Sequence, residues 1–208
     1  MRVDSTKEIR LNLGCAGRPL PGYINVDLDT LEQMKERYPS AEFPQGVEIH
    51  QFDIFNLPYQ DGVVREVVAE SLLDHLSFIE ERKFFYEMKR VLKTGGLFVF
   101  SVPDFEKIVK DWLKAKDEWK DFFRDDPEAI ARQHWFGQYS YSTKSRWGYL
   151  TASIWGSQKG LGQFHKNCFT VPKIRAILKR INFKELDILY FNWKGDRDPM
   201  IRVKAQKL

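Results

Sequence analysis

A chain of 208 residues, 43% hydrophobic and 30% charged, is long enough to close one full core without disulfides or a structural metal. Its net charge of +4 is too small for the electrostatic footprint of a dedicated nucleic-acid binder, yet it suits an anionic substrate. The two cysteines, Cys15 and Cys168, lack metal-ligand spacing, MRVDSTKEIR has no apolar signal-like stretch, and no run approaches a membrane span; these features predict a cytoplasmic, reducing setting with no metal site.

Met1–Lys7 reads as a short tail. Ile9, Leu11 and Leu13 then alternate as a first strand that runs into the turn Gly14-Cys15-Ala16-Gly17. Tyr23, Ile24 and Val26 form a second strand ending on Asp27 and Asp29. Glycines after a strand let the backbone approach a ligand and offer it N–H groups. An acid at the tip of the next strand can accept from ribose hydroxyls, so the pair suggests a pocket for an adenosine-containing molecule. The glycine turn alone fits an ordinary tight turn equally well, because the third glycine and following helix of the dinucleotide fingerprint are missing.

Leu31–Tyr38 is a short helix stopped by Pro39. Val47–Asp53 alternates as a third strand and again ends on an acid. A Pro- and Gly-containing loop, Ile54–Gly62, leads to a fourth strand over Val63–Leu72. Phe78–Leu92 has helical spacing and stops at Thr94-Gly95-Gly96. Leu97–Val102 is a fifth strand, and Asp104 can cap a helix over Phe105–Trp119. The segment at about 120–168 is rich in Trp and Tyr with poor periodicity, which predicts a substrate lid or, equally, a dimer interface. A helix from Thr170 or Val171 to about Ile181 tolerates Pro172 near its start. Lys184–Phe191 and Met200–Lys207 have no room for a helix between them and should pair antiparallel.

This order predicts one domain over 1–208, an α/β sheet mostly parallel with one reversed strand. The Gly14 turn, Asp27, Asp53, Glu70–Ser71 and Pro103–Asp104 fall at predicted carboxyl ends, the rim where such sheets bind ligands.

The runs LNLGCAG, INVDLD, QFDIFNLPYQDGVVREVVAESLLDHL and FFYEMKRVLKTGGLFVFSVPD together resemble the class I S-adenosylmethionine-dependent methyltransferases, over about Ile9–Asp104 and in outline at the last helix and hairpin. Within that family, LNLGC and RPLPGYINVDLD are most similar to small predicted methyltransferases linked with polysaccharide biosynthesis. The resemblance implies a Rossmann-like seven-stranded sheet with S-adenosyl-L-methionine as cofactor. Carried over, Gly14, Cys15, Ala16 and Gly17 would face its methionine part. Asp27 would bind the ribose, and Leu28 would pack beside the adenine. Asp53 would accept from the adenine amino group, Ile54 would lie on the ring, and Glu70 and Ser71 would floor the pocket near the sulfonium. One departure stands out. Only eight residues separate Gly14 from Tyr23, two of them proline, so a tight loop should replace the family's first crossover helix. Arg18 is a candidate to compensate for the lost helix dipole.

Methyl transfer is an in-line displacement, and a hydroxyl acceptor also needs a general base. His165, in GQFHKNCFT, and His134, beside Trp135, are candidates for that role or for plain structural hydrogen bonds. Asp104 reads as a base or as a helix cap. His75, in LLDHL, reads as packing under the rim, His50 as surface or core, and the Lys173–Arg180 charges as a solvated face. The expected substrate is a small molecule, a hydroxyl or amine of a sugar or sugar nucleotide, and a phosphorylated sugar suits the charge. A homodimer is compatible with the aromatic segment. Nucleic-acid methylation is disfavoured, because neither strand four nor strand five ends in the Asn/Asp-Pro-Pro-aromatic tetrad that holds a flipped base. The reading of another class is a non-catalytic protein that keeps the fold and binds the cofactor or a partner.

Overall fold

The computed structural model describes residues 8–118, 126–127, 143–158, 162–195 and 197–208. Short apolar runs make β1 (Ile9–Leu13), β2 (Ile24–Val26) and β3 (Ile49–His50). Longer ones make β4 (Val64–Glu70), β5 (Leu92–Pro103), β6 (Phe183–Lys194) and β7 (Arg197–Lys207). The strands lie in one sheet in the order β3-β2-β1-β4-β5-β7-β6. Pairs among β1 to β5 are parallel, and β7 runs antiparallel to both β5 and β6. The reversed strand brings the β6–β7 turn to the rim formed by the carboxyl ends of the other strands, with Pro103 paired to Met200.

Five α-helices accompany the sheet among the described residues: α1 (Leu31–Arg37), α2 (Phe78–Val91), α3 (Phe105–Lys114), α4 (Thr151–Trp155) and α5 (Val171–Ile181). The start of α2 is set by a capping box, in which Ser77 accepts from the Glu80 N–H and Glu80 accepts from the Ser77 N–H. Its apolar stripe, Phe84, Phe85, Met88 and Val91, joins Ile174, Leu178 and Ile181 of α5 over one face of the sheet. From below they meet Leu11, Leu13, Val67, Phe98, Phe100 and Val203, all but inaccessible to water. Each such side chain contributes about 1.5–3 kcal/mol on burial. The opposite face is polar by comparison, with Arg10, Asn12, Glu66, Glu70 and Arg202 alternating with the core-facing residues.

Three boundaries differ from expectation for physical reasons. β3 shrinks to two residues because the three-residue β2 offers it pairing only at Asn25 and Val26. β5 begins at Leu92, since Thr94-Gly95-Gly96 is absorbed as an irregularity between the Val64–Leu92 and Glu66–Leu97 pairs, with Gly95 at φ 76°. α3 ends at Lys114 rather than Trp119, because Lys116 leaves the helix to exchange backbone hydrogen bonds with Lys144 and Arg146.

The connection between β1 and β2 contains no helix, as the prolines require, yet the strands are parallel neighbours. Side chains hold it in place of a helix. The N–H groups of Gly14 and Cys15 both donate to the Val26 carbonyl (2.8 and 3.2 Å). The buried Asn12 amide donates to Asn25 Oδ1 (2.9 Å) and to the Arg18 carbonyl (3.1 Å). Asn25 Oδ1 also accepts from the Leu20 N–H (2.8 Å). This asparagine pair answers the polar groups that a crossover helix would have satisfied internally.

Candidate functional site

On the glycine side of the rim, Gly14 adopts φ 65°, and a Cβ there would lie 2.9 Å from Leu72. Asp27, at the exit of β2, accepts from the Ala16 N–H (2.9 Å) through one oxygen and from the Asp29 N–H (3.2 Å) through the other. The expectation that the turn offers its N–H groups to a ligand is therefore corrected: those of Gly14, Cys15 and Ala16 are donated inside the protein. The turn acts by shape, and Asp27 joins the two strand ends. Burial, reinforced by the nearby Asp27 charge, pushes the Cys15 thiol up to about 12, which makes it a packing group rather than a nucleophile.

Asp53, exposed beyond β3, accepts from the Phe55 N–H (2.9 Å) through Oδ1, leaving Oδ2 open to an outside donor among the described residues. Leu28 is 85% exposed beside it along the rim, and Ile54 packs against the core. The following loop is clamped to α2: Glu87 accepts from the Leu57 N–H (2.6 Å), and Arg90 donates to the carbonyls of Leu57 and Tyr59. Ribose hydroxyls and an adenine amino group are donors, and the rim presents carboxylates and an exposed apolar side chain to meet them, so these residues fit an adenosine.

Two cavities flank Arg18. One of about 280 Å³ is bounded by Asn12, Gly14, Cys15, Glu70, Val99 and Arg202. Here Glu70 pairs with Arg18 (3.7 Å) and with Arg202. The other, about 260 Å³, is built from five separate segments: Arg18; Ser71, Asp74 and His75; Pro103 and Ile108; Ser153 and His165; and Trp193 with Asp198–Met200. The Arg18 guanidinium lies 3.8 Å from the Trp193 ring centre and so borders both spaces.

The second cavity holds the densest chemistry. Ser71, at φ 50°, turns the chain out of β4 into a short 3₁₀ segment, Leu73–His75. Asp74 is 2% exposed, and its Oδ1 has no partner among the described residues. Its Oδ2 faces His75 Nε2 at 3.4 Å and His165 Nε2 at 3.2 Å. The two imidazoles meet edge to face, 4.9 Å between centres. His75 Nδ1 donates to the Phe164 carbonyl and His165 Nδ1 to the Ser153 carbonyl, each at 3.1 Å. Burial lowers the His165 pKa below the ordinary imidazole value; Asp74 opposes that shift and His75 reinforces it. Burial alone raises the Asp198 carboxyl.

Of the residues expected to act on the acceptor, His165 is in this cluster. His134 lies outside the described residues. Asp104 caps α3 by accepting from the Lys107 N–H (3.1 Å), which favours the helix-cap reading over the base. His75, expected to be packing, shares the cluster with His165, and Asp74 was not singled out at all. The reason is topological: the Asp74 carbonyl accepts from the N–H groups of Lys166 and Asn167 (2.8 and 3.1 Å), a long-range pairing that no local pattern announces.

A family described as a methyltransferase domain matches residues 13–100. The chain is 28% identical over 116 residues to an uncharacterised 37.1 kDa protein in transposon TN4556 of Streptomyces fradiae, a match that covers 50% of this chain and 33% of that protein. The chain thus spans about a third of the length of that curated relative. Among solved structures it is similar to a Burkholderia thailandensis 1,6-didemethyltoxoflavin-N1-methyltransferase with bound 1,6-didemethyltoxoflavin and S-adenosylhomocysteine (TM-score 0.55, 12% identity, 96% of this chain and 70% of that one). It is also similar to an S-adenosylmethionine-dependent methyltransferase from Methanosarcina mazei (TM-score 0.55, 18% identity, 97% and 93%). These likenesses show the fold, a Rossmann-like class I methyltransferase sheet.

Proposed function

We propose that this protein transfers a methyl group from S-adenosylmethionine to a hydroxyl or amine of a polar small molecule, a sugar or sugar nucleotide being the class that suits it best. The observation that carries the reading is adjacency: the Gly14 turn, which Asp27 ties to β2, lines one cavity together with Arg18, and Arg18 also lines the neighbouring cavity with Ser71, two histidines and two acids.

When bound, the cofactor supplies an activated methyl on a positively charged sulfur. Asp27 and Asp53 hold its nucleoside end, while Glu70 and Ser71 lie between the two spaces. The acceptor occupies the second cavity, and the Asp74–His75–His165 cluster manages the proton that an O–H or N–H must lose as its lone pair takes the methyl. Trp193 and Ile108 wall the acceptor side. Arg18 offers a charge to an anionic group such as a sugar phosphate. A link to polysaccharide biosynthesis and a lid function for the aromatic segment at 120–168 belong to this proposal, as does dimerisation.

Calorimetric titration of S-adenosylmethionine and S-adenosylhomocysteine tests the first half, with wild-type protein and with Asp53→Ala, which removes an exposed acceptor at little cost to the fold. Micromolar binding, weakened in the variant, supports the pocket and leads to screening sugar nucleotides for labelled-methyl uptake. No binding of either compound by folded protein overturns the proposal.

A further inference from the structure

A carbonyl oxygen can only accept, so the contacts from His75 Nδ1 to the Phe164 carbonyl and from His165 Nδ1 to the Ser153 carbonyl place the proton of each ring on Nδ1. In a neutral imidazole the remaining nitrogen, Nε2, then carries a lone pair. Both Nε2 atoms face one carboxylate oxygen, Asp74 Oδ2, at 3.4 and 3.2 Å. Three electron-rich atoms turned toward one another are stable only around a positive charge. Asp74 is 2% exposed with its Oδ1 unpartnered among the described residues, so the carboxylate has not found that charge elsewhere.

The separations indicate the size of the missing cation. Ligand atoms bound at about 2.1 Å and about 90–109° apart lie roughly 3.0–3.4 Å from one another. The two Asp74–histidine separations fall in that interval, and the three donor atoms lie within 4.8 Å of one another. A backbone carbonyl on the far nitrogen is also the usual device for fixing a metal-binding histidine in the correct tautomer. The scaffold is braced in advance, since the backbone N–H groups of Lys166 and Asn167 donate to the Asp74 carbonyl and that of His165 donates to the Trp155 carbonyl.

We propose that Asp74, His75 and His165 bind a divalent cation of the zinc class, with its remaining coordination positions open to the cavity. Two nitrogens and one carboxylate suit zinc and its first-row neighbours better than magnesium or calcium, which prefer oxygen. Resting on the methyltransferase reading, the ion binds the acceptor oxygen and lowers the pKa of its O–H. The hydroxyl proton leaves to solvent water, the oxygen lone pair forms the new O–C bond, and the S–C bond breaks with its electrons remaining on sulfur.

The test uses tag-free protein stripped with chelator. Cobalt(II) is titrated with visible absorption as readout and zinc by calorimetry, for wild type, His165→Ala and Asp74→Asn, with S-adenosylhomocysteine titrated into each. The expected result is one equivalent of metal in wild type and affinity weakened by about 100-fold or more in both variants, with S-adenosylhomocysteine binding retained as the check on folding. Wild-type protein that binds S-adenosylhomocysteine but takes up no more metal than the variants overturns the proposal and leaves the cluster holding a proton. Metal uptake without S-adenosylhomocysteine binding keeps the metal site and removes the methyltransferase role assigned to it.

Discussion

The two halves of the rim are built by different means. In the glycine half, residues close in sequence fix one another: Gly14, Cys15 and Ala16 bond to Val26 and Asp27 across a ten-residue connection, and Asn12 and Asn25 hold the loop between them. In the histidine half, the segments come from distant parts of the chain, and their alignment depends on a few backbone contacts to Asp74 and on the β6–β7 turn. A half held locally is a rigid seat for a constant ligand. One assembled from five segments can change any one of them, which suits the part of an enzyme that selects its acceptor.

Damage confined to either half should leave the other intact. The largest effect is expected from Gly156→Ala. A Cβ there would lie 2.2 Å from the Gln163 carbonyl oxygen and 2.8 Å from the His165 nitrogen. Both are backbone, so the chain bearing His165 must move. A displacement of about 1 Å is expected to lower turnover about 100-fold while S-adenosylhomocysteine affinity stays put; undiminished turnover would separate His165 from the reaction.

Asp27→Ala attacks the other half. It strips the part-buried Ala16 and Asp29 N–H groups of their acceptor, at roughly 1 kcal/mol for each. Calorimetry should show about 10- to 100-fold weaker S-adenosylhomocysteine binding, with cobalt uptake by the histidine cluster unchanged. Loss of both would mean that the halves are coupled more tightly than their contacts indicate.

Asn25→Ala should act on stability before affinity. The Leu20 N–H and the Asn12 amide lose their shared acceptor, for about 1–3 kcal/mol, read as a lower urea midpoint at constant slope. A variant as stable as wild type would show that water replaces the asparagine without cost. The smallest effect is expected from Arg18→Lys, which keeps the charge and removes the flat face stacked on Trp193. At roughly 0.5–1 kcal/mol, both ligands should weaken by about two- to fivefold; an effect on one alone would assign Arg18 to that half.

The glycine half was legible from residue order, down to the helix-free crossover demanded by Pro19 and Pro21. What escaped reading there was the use of its donors. Nothing in LNLGCAG shows that its N–H groups turn inward to Val26 and Asp27, because that depends on which strand lies alongside. The histidine half was legible only at His165. In LLDHL, Asp74 and His75 look like the polar end of an apolar run, and Trp193 and Asp198 look like parts of a hairpin turn.

By itself the sequence determined the sheet, through the alternation of short apolar runs with helical stripes, and it marked the seat proposed for an adenosine, through glycines and acids placed at strand ends. Periodicity and turn chemistry are local, and the parallel order follows from them. Only the tertiary structure decided the histidine cluster and the cavity around it. The antiparallel β7 carries the β6–β7 turn back to the rim, and the Lys166 and Asn167 amides draw His165 onto Asp74. Contacts of that kind are made between faces that meet only once the sheet has closed.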